Sequence, residues 1–373
     1  MILFITRKYP PSVGGMQNLS YRLTTGVSKH VAARIISWGG SQRWLPFFLI
    51  SASLRALIAL SRDDVTLIHI GDPVLAPLGI ALRILRQVPM VVNAHGLDVT
   101  FRFPPYQAVI PACLRRMDRV ICISTYTREQ CLQRGVPAER CVVIPLGIEI
   151  GDYAAALPAG ERQIRLASWG VNSSQDKVLL TVGRLVVRKG LAPFVSEALP
   201  RLMAKRQDWV YLIIGDGPER GDIESAVQSQ GLGERVKLLG RVNREALRAA
   251  YALADLFVMP NVPTPGDPEG FGLVTLEARA AGVPVVAADL EGIGETIAEQ
   301  DGTLVRPGDW PAFASSIRSW LDRQETVADR ERRRQRLQAE FAWSRIIERY
   351  LQVFQEVTEE HNTRRGAPIA DRY

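Results

Sequence analysis

The chain has 373 residues, 47% of them hydrophobic and 23% charged, with a formal net charge of +7. That length exceeds what one core usually serves, so two domains are expected, and the composition excludes disordered, collagen-like and disulfide-rich classes. Cys113, Cys122, Cys131 and Cys141 show neither C-x-x-C spacing nor partnering histidines, which reads as buried thiols in a reducing compartment.

The opening MILFITRKYPP holds an apolar run too short for a signal-peptide core and reads as a first strand. Gly14 and Gly15 come next, at a turn that opens a helix, where backbone amides can approach a phosphate, or where the pair serves only a tight turn. Residues 1–160 carry 17 Lys/Arg against 9 Asp/Glu, and the remainder 29 against 30, so the whole positive excess belongs to the first half. Such a field suits an anionic partner or a solubilised basic face. In QRWLPFFLISASLRALIAL, Pro46 and Arg55 interrupt the apolar run below the length of a spanning segment. Two readings stay open for it: a core helix, or, with Arg43, Arg55 and Arg62 beside it, peripheral contact with an anionic membrane.

Short apolar runs alternate with helical patterns throughout the first half: ILFIT, VAARIIS, VTLIHI, PMVVNA, RVICIS and CVVIPLG. This rhythm predicts a parallel sheet covered on both faces, and it restarts as VLLTVG, WVYLIIG, RVKLLG, DLFVMP and PVVAAD. Between the two series the polar segment 157–177 is the expected domain boundary. Helices are expected over 310–324 and 343–359, and a frayed tail over 361–373. ERRRQR, residues 331–336, reads as a solvated helix face rather than a nucleic-acid patch, because no aromatics are interleaved with it. The fold expected is α/β: two doubly wound, Rossmann-like domains whose strand ends face each other across a ligand cleft.

Several candidate residues come directly after strands. In EGFGLVTLE, a helix starting near Gly272 would aim amides at an anion or at sugar hydroxyls, while Glu277 could take a vicinal diol such as a ribose and Glu269 could bind sugar hydroxyls or simply cap the helix. GRLVVRKG puts Arg184 and Lys189 in one post-strand loop, suited to a diphosphate leaving group. His95, in NAHGLDVT, can hydrogen-bond a hydroxyl, with Asp98 nearby for an acceptor; His69 reads as a core or cleft-wall histidine. GDGPERG is a near match to a dinucleotide fingerprint through Gly215 and Gly217, with Gly221 one residue late, and keeps a nicotinamide oxidoreductase among the alternatives.

In order, GGMQNLS, NAHGLD, CISTYT, IPLGIE, VGRLVVRKG, IIGDGPE, LLGRV, EGFGLVTLEARAAGVPVVA and GTLVRPGD resemble glycosyltransferase family 4, the retaining enzymes of GT-B fold, over essentially the whole chain. The resemblance implies an acceptor domain over 1–165 joined by a returning helix at 343–360, a donor domain over 175–342, and a flexible tail at 361–373. It implies transfer from a UDP- or GDP-sugar to a glycan, a lipid-linked sugar or a small molecule, and the absence of a D-x-D or other metal cluster, with the cation pair, leads to the expectation of a metal-independent reaction without a cofactor. It also implies a cytoplasmic enzyme with no nucleic-acid partner. Arg184 and Lys189 match the cations on the diphosphate, Glu277 the ribose acid, and Glu269 with Gly270, Phe271, Gly272 and Leu273 the loop around the transferred sugar. His95 matches the histidine near the sugar's C6 hydroxyl, Gly15 the loop beside the phosphates, and Arg241 with Val242 the backbone that meets the nucleobase. Leu146 and Glu149 depart from the family's asparagine and aspartate at IPLGIE, and NVPTPGDP leaves the donor-loop length open. A sugar-nucleotide epimerase, a phosphorylase or a non-catalytic binding protein would share the architecture.

Overall fold

The computed structural model describes residues 1–12, 14–153, 160–171 and 175–366. The chain divides into two compact units, Met1–Gly147 with Trp343–Tyr373, and Ile148–Ala342.

In the first unit, six parallel strands, β1 (Ile2–Thr6), β2 (Ala33–Ser37), β3 (Leu67–Ile70), β4 (Met90–Ala94), β5 (Arg119–Cys122) and β6 (Cys141–Val143), form a sheet in the order β2-β1-β3-β4-β5-β6. β1, β3 and β4 are buried at every position, as strands covered on both faces must be. One face is covered by the helices Leu45–Arg62, Ala76–Leu85 and Pro104–Leu114, the other by Gly15–Val27 and the carboxyl-terminal helix Trp343–Gly366. Ile346, Ile347, Tyr350, Val353 and Phe354 of that last helix pack with Ile2, Phe4 and Val91, which ties the end of the chain into the first unit. The helix runs on to Gly366, so the first part of the expected tail is helical, with His361 Nε2 3.1 Å from the Gln87 carbonyl; residues 367–373 lie outside the described ones. All four cysteines are free and buried, and the Sγ atoms of Cys122 and Cys131 are 3.9 Å apart, in contact but unbonded.

The second unit repeats the plan with β7 (Lys177–Val182), β8 (Trp209–Ile214), β9 (Val236–Gly240), β10 (Leu256–Met259), β11 (Val285–Ala288) and β12 (Gly302–Val305), ordered β12-β11-β10-β7-β8-β9. β12, an edge strand of four residues, has no counterpart in the expected series, since only Gly302 and Val305 in it are buried. The change of unit falls at Gly147, ahead of the polar segment 157–177. Tyr153 stacks edge-on against Tyr251 at 5.6 Å, and Leu166 and Val171 are core residues here, so this stretch belongs to the second unit. Within that segment, residues 157–159 and 172–174 lie outside the described ones.

Candidate functional site

In the second sheet β7 and β10 are neighbours whose onward connections run to opposite sides, β7 to β8 and β10 to β11. Ligands of open α/β sheets bind outside the strands' carboxyl ends at such a switch point. The loop after β7 carries Arg184, Arg188 and Lys189; the loop after β10 carries Asn261, Asp267 and Glu269.

Gly190 brings the two loops together. It sits at φ 61°, in the left-handed region, and a Cβ there would lie 2.2 Å from the Pro260 carbonyl oxygen. The Val262 amide donates to the Arg188 carbonyl at 2.9 Å, fixing the register. Lys189 is thereby buried with its ammonium 2.5 Å from Glu269 Oε2, the same oxygen that accepts from Asn261 Nδ2 at 3.3 Å and Arg188 Nε at 3.4 Å. Arg188 also donates to Asp267 Oδ2 at 2.7 Å. Burial opposes ionisation of Glu269, but the charges of Lys189 and Arg188 outweigh it and hold the carboxyl below its ordinary value. Glu291, itself at φ 53°, accepts from the Glu269 amide through its carboxylate.

The helix Leu273–Ala280 starts from Gly272 at its N-cap, and Phe271 turns inward to pack 6.3 Å from Phe341. Glu277 lies one turn into it. Its carboxylate accepts from the Tyr251 hydroxyl at 2.7 Å and is hydrogen-bonded by Tyr153. Burial raises its pKa, against those two hydrogen bonds. The helix is anchored from beneath: Arg279, fully buried, donates to Asp301 Oδ2 at 2.7 and 3.1 Å and to the Thr296 carbonyl at 2.6 Å. Its last carbonyls are taken by the arginines of ERRRQR, in the helix Val327–Phe341. Arg334 reaches Ala280 and Ala281 at 3.2 and 3.0 Å, and Arg333 reaches Gly282 at 2.5 Å. The solvated face expected there is corrected in part: Glu331, Arg332 and Gln335 are exposed, but Arg333 is 2% exposed and serves with Arg334 as a helix clamp.

Arg184, at the start of the loop after β7, is exposed, and among the described residues no carboxylate lies within ion-pair distance of it. Arg241 is exposed with Asp216 Oδ2 4.0 Å away, and Val242 packs on the core. Gly215 and Gly217 have a steric task, since Cβ atoms there would lie 1.7 and 2.1 Å from the carbonyl oxygens of Gly183 and Leu185. They let the loop after β8 support the loop after β7, which accounts for the near match to a dinucleotide fingerprint.

In the first unit the corresponding gap lies after β1 and β3, and there Arg7 Nε meets the fully buried Asp72 at 2.9 Å. Neither residue was singled out in the sequence. His95 comes directly after β4; its Nδ1 is 2.8 Å from Asp98 Oδ2, and its amide donates to Asp98 Oδ1 at 2.9 Å. Both oxygens of Asp98 therefore orient His95, and among the described residues Nε2 has no hydrogen-bond partner and is the nitrogen that can meet a ligand. Gly15 begins the helix Gly15–Val27, whose N-cap Gly14 offers no side-chain hydrogen bond; Val13 lies outside the described residues. His69 is a core histidine: its Nε2 is 3.2 Å from Asn93 Oδ1, which also accepts from Tyr350, and burial lowers its pKa to about 4. Among the described residues no group of three or more His, Cys, Asp or Glu is arranged to hold a metal ion.

Two six-stranded parallel sheets of this order are the architecture of the GT-B fold, and comparison with known proteins identifies the chain as a glycosyltransferase of that fold. Residues 167–338 match the model for glycosyl transferases group 1, and residues 5–151 that for glycosyltransferase family 4. The GDP-mannose-dependent alpha-(1-6)-phosphatidylinositol monomannoside mannosyltransferase of Mycobacterium tuberculosis is 28% identical, covering 92% of this chain and 95% of its own. The 2-deoxystreptamine glucosyltransferase of Streptomyces kanamyceticus is 27% identical, over 82% and 80%. Among solved structures, HepE of Anabaena in complex with UDP superposes with a TM-score of 0.74 at 20% identity, over 95% of this chain and 99% of that one. The sucrose-phosphate synthase of Thermosynechococcus elongatus gives 0.73 at 23%, over 96% and 99%. The two family models together span most of the chain, which belongs to glycosyltransferase family 4.

Proposed function

We propose that the chain is a retaining hexosyltransferase that takes its sugar from a nucleoside-diphosphate donor, a UDP- or GDP-sugar, bound at the ends of β7 and β10. The observation that carries this reading is the Lys189–Glu269 pair: a buried cation and a buried acid side by side, with the exposed Arg184 on the same loop. Arg184 and Lys189 neutralise the diphosphate, and their attraction grows as the glycosidic bond breaks and charge builds on the leaving phosphate. Glu269, with the backbone of Gly270, Phe271, Gly272 and Leu273, grips the sugar hydroxyls. Glu277, braced by Tyr251, takes the ribose diol, and the backbone of Arg241 and Val242 meets the base.

In this reading the anomeric C–O bond to phosphate breaks and the acceptor oxygen attacks from the face the phosphate leaves. The acceptor's proton passes to the departing phosphate oxygen, so no protein nucleophile, metal or cofactor takes part. His95, oriented by Asp98, is the first unit's candidate for meeting a hydroxyl of the acceptor. The mannosyl and glucosyl donors named for the relatives support a hexose, and the phosphatidylinositol mannoside acceptor named for one of them supports a lipid-linked or glycan acceptor.

The test is a screen of UDP-, GDP- and ADP-sugars for thermal stabilisation of the full chain, and then NMR of the product with the best donor. One class should stabilise the protein and yield a product with the donor's anomeric configuration. An inverted product, or equal indifference to all three classes, refutes the reading.

A further inference from the structure

The helix Leu45–Arg62 is apolar on both sides, and the sizes are reversed from those of an ordinary surface helix. Its sheet-facing side is Phe48, Leu60 and the small residues Ala52, Ala56 and Ala59, at most 4% exposed, whereas Phe47, Ile50 and Leu54 are 57–63% exposed on the opposite stripe. Pro46 does not interrupt it, because it stands in the first helical turn, where no amide hydrogen bond is lost. The result is an 18-residue helix of mean hydropathy 1.4, long and apolar enough to cross a membrane by length and composition. Its alanine side is nevertheless part of the core with Leu3, Ile5 and Ile36, so crossing would tear it from the sheet. The neighbouring helix Ala76–Leu85 also ends in exposed apolar side chains, Ile84 and Leu85, at 81% and 66% exposure. Large apolar side chains exposed together along one helix stripe mark a contact surface rather than a solvated one.

Charge identifies what covers it. Residues 1–62 contain no Asp or Glu at all. Arg43, Arg55 and Arg62 stand exposed around the apolar stripe, and among the described residues none of them has a carboxylate partner. Large apolar side chains facing outward, with arginines before the helix and along one flank of the stripe, match an interface between acyl chains and anionic headgroups.

We infer that the first unit docks on an anionic phospholipid surface through the outer face of Leu45–Arg62 and the end of Ala76–Leu85, with the helix lying in the membrane plane. This inference stands apart from the donor reading, since none of these residues belongs to the proposed donor site. The test is co-flotation of the full chain with phosphatidylcholine vesicles and with vesicles that also contain phosphatidylglycerol, at low and high salt. Binding is expected to anionic vesicles, weakened by salt. It should fall by about fivefold for each arginine removed in the series R43Q, R55Q and R62Q, and by at least about tenfold in Phe47→Ser/Leu54→Ser, each variant keeping the wild-type circular dichroism spectrum. Absence of wild-type flotation with anionic vesicles at low salt overturns the proposal. So does a concentration-dependent dimer that Phe47→Ser/Leu54→Ser abolishes, which would make a second copy of the chain the occupant.

Discussion

Lys189 Nζ lies 2.5 Å from Glu269 Oε2, joining the loop after β7 to the loop after β10 across 80 residues of sequence. Each group is largely withdrawn from water, with side chains 9% and 15% exposed. Removing Glu269 leaves Lys189 buried without a carboxylate partner, which costs about 3 kcal/mol or more. Glu269 keeps Arg188 when Lys189 is lost, but Lys189 has no second carboxylate within ion-pair distance among the described residues. Glu269→Gln is therefore expected to lower stability more than Lys189→Met, and the double variant less than the sum of the two. Urea denaturation of the ligand-free protein measures the coupling, expected at about 1–3 kcal/mol.

Two acids of the site should respond to pH with opposite sign. Glu269 is held below the ordinary carboxyl value of 4.5, so its contribution is full above that value and is lost as pH falls through the folded-state value. Glu277 is raised above 4.5 by burial, so the fold favours its protonated form, and stability is lost as pH rises from 4.5 through its folded-state value. Glu277→Gln keeps an acceptor for the Tyr251 hydroxyl and removes that loss. Denaturation across the acid-to-neutral range should show this variant more stable than the parent at neutral pH, and Glu269→Gln less stable.

Tyr251 touches Glu277 and belongs to the core of the second unit, where it stacks on Phe257 at 6.0 Å. Tyr251→Phe keeps the ring and removes one hydrogen bond to a carboxylate. Donor KM should rise by roughly tenfold, in line with a hydrogen bond to a charged group worth about 1.5 kcal/mol, while kcat changes little. An unaltered KM would detach Glu277 from donor binding.

Arg333 and Arg334 close the end of the helix that carries Glu277. Arg333→Ala buries an orphaned Gly282 carbonyl and frees Glu325 from its ion pair, with an expected cost of about 2–4 kcal/mol. Arg334→Ala, whose side chain is 20% exposed, should cost less. Thermal unfolding ranks the two; equal effects would contradict the clamp.

Much of this architecture was legible in the sequence because strands buried on both faces leave unbroken apolar runs. Eleven of the strands have such a run, including the partly exposed β2, β6 and β9; β12, GTLV, is short and only its end residues are buried, so no run marks it. Arg184, Lys189, Glu269 and Glu277 were legible because each stands after a strand, in or beside a glycine-marked loop. The partners that fix their geometry were not: Arg188, Asn261 and Asp267 gain meaning only when the β7 and β10 loops touch, and Arg7 meets Asp72 across 65 residues. ERRRQR misled for the same reason, since a run of arginines looks solvated until the carbonyls it satisfies, some 50 residues upstream, are known.

The central claim is that Lys189 stabilises charge on a departing diphosphate. Its most direct measurement is the turnover number of Lys189→Ala at saturating donor, with the fold checked by circular dichroism. Loss of a preorganised donor to a developing anion lowers kcat by about 100-fold or more, with a much smaller change in donor KM. A turnover number equal to that of the parent enzyme would contradict the assignment.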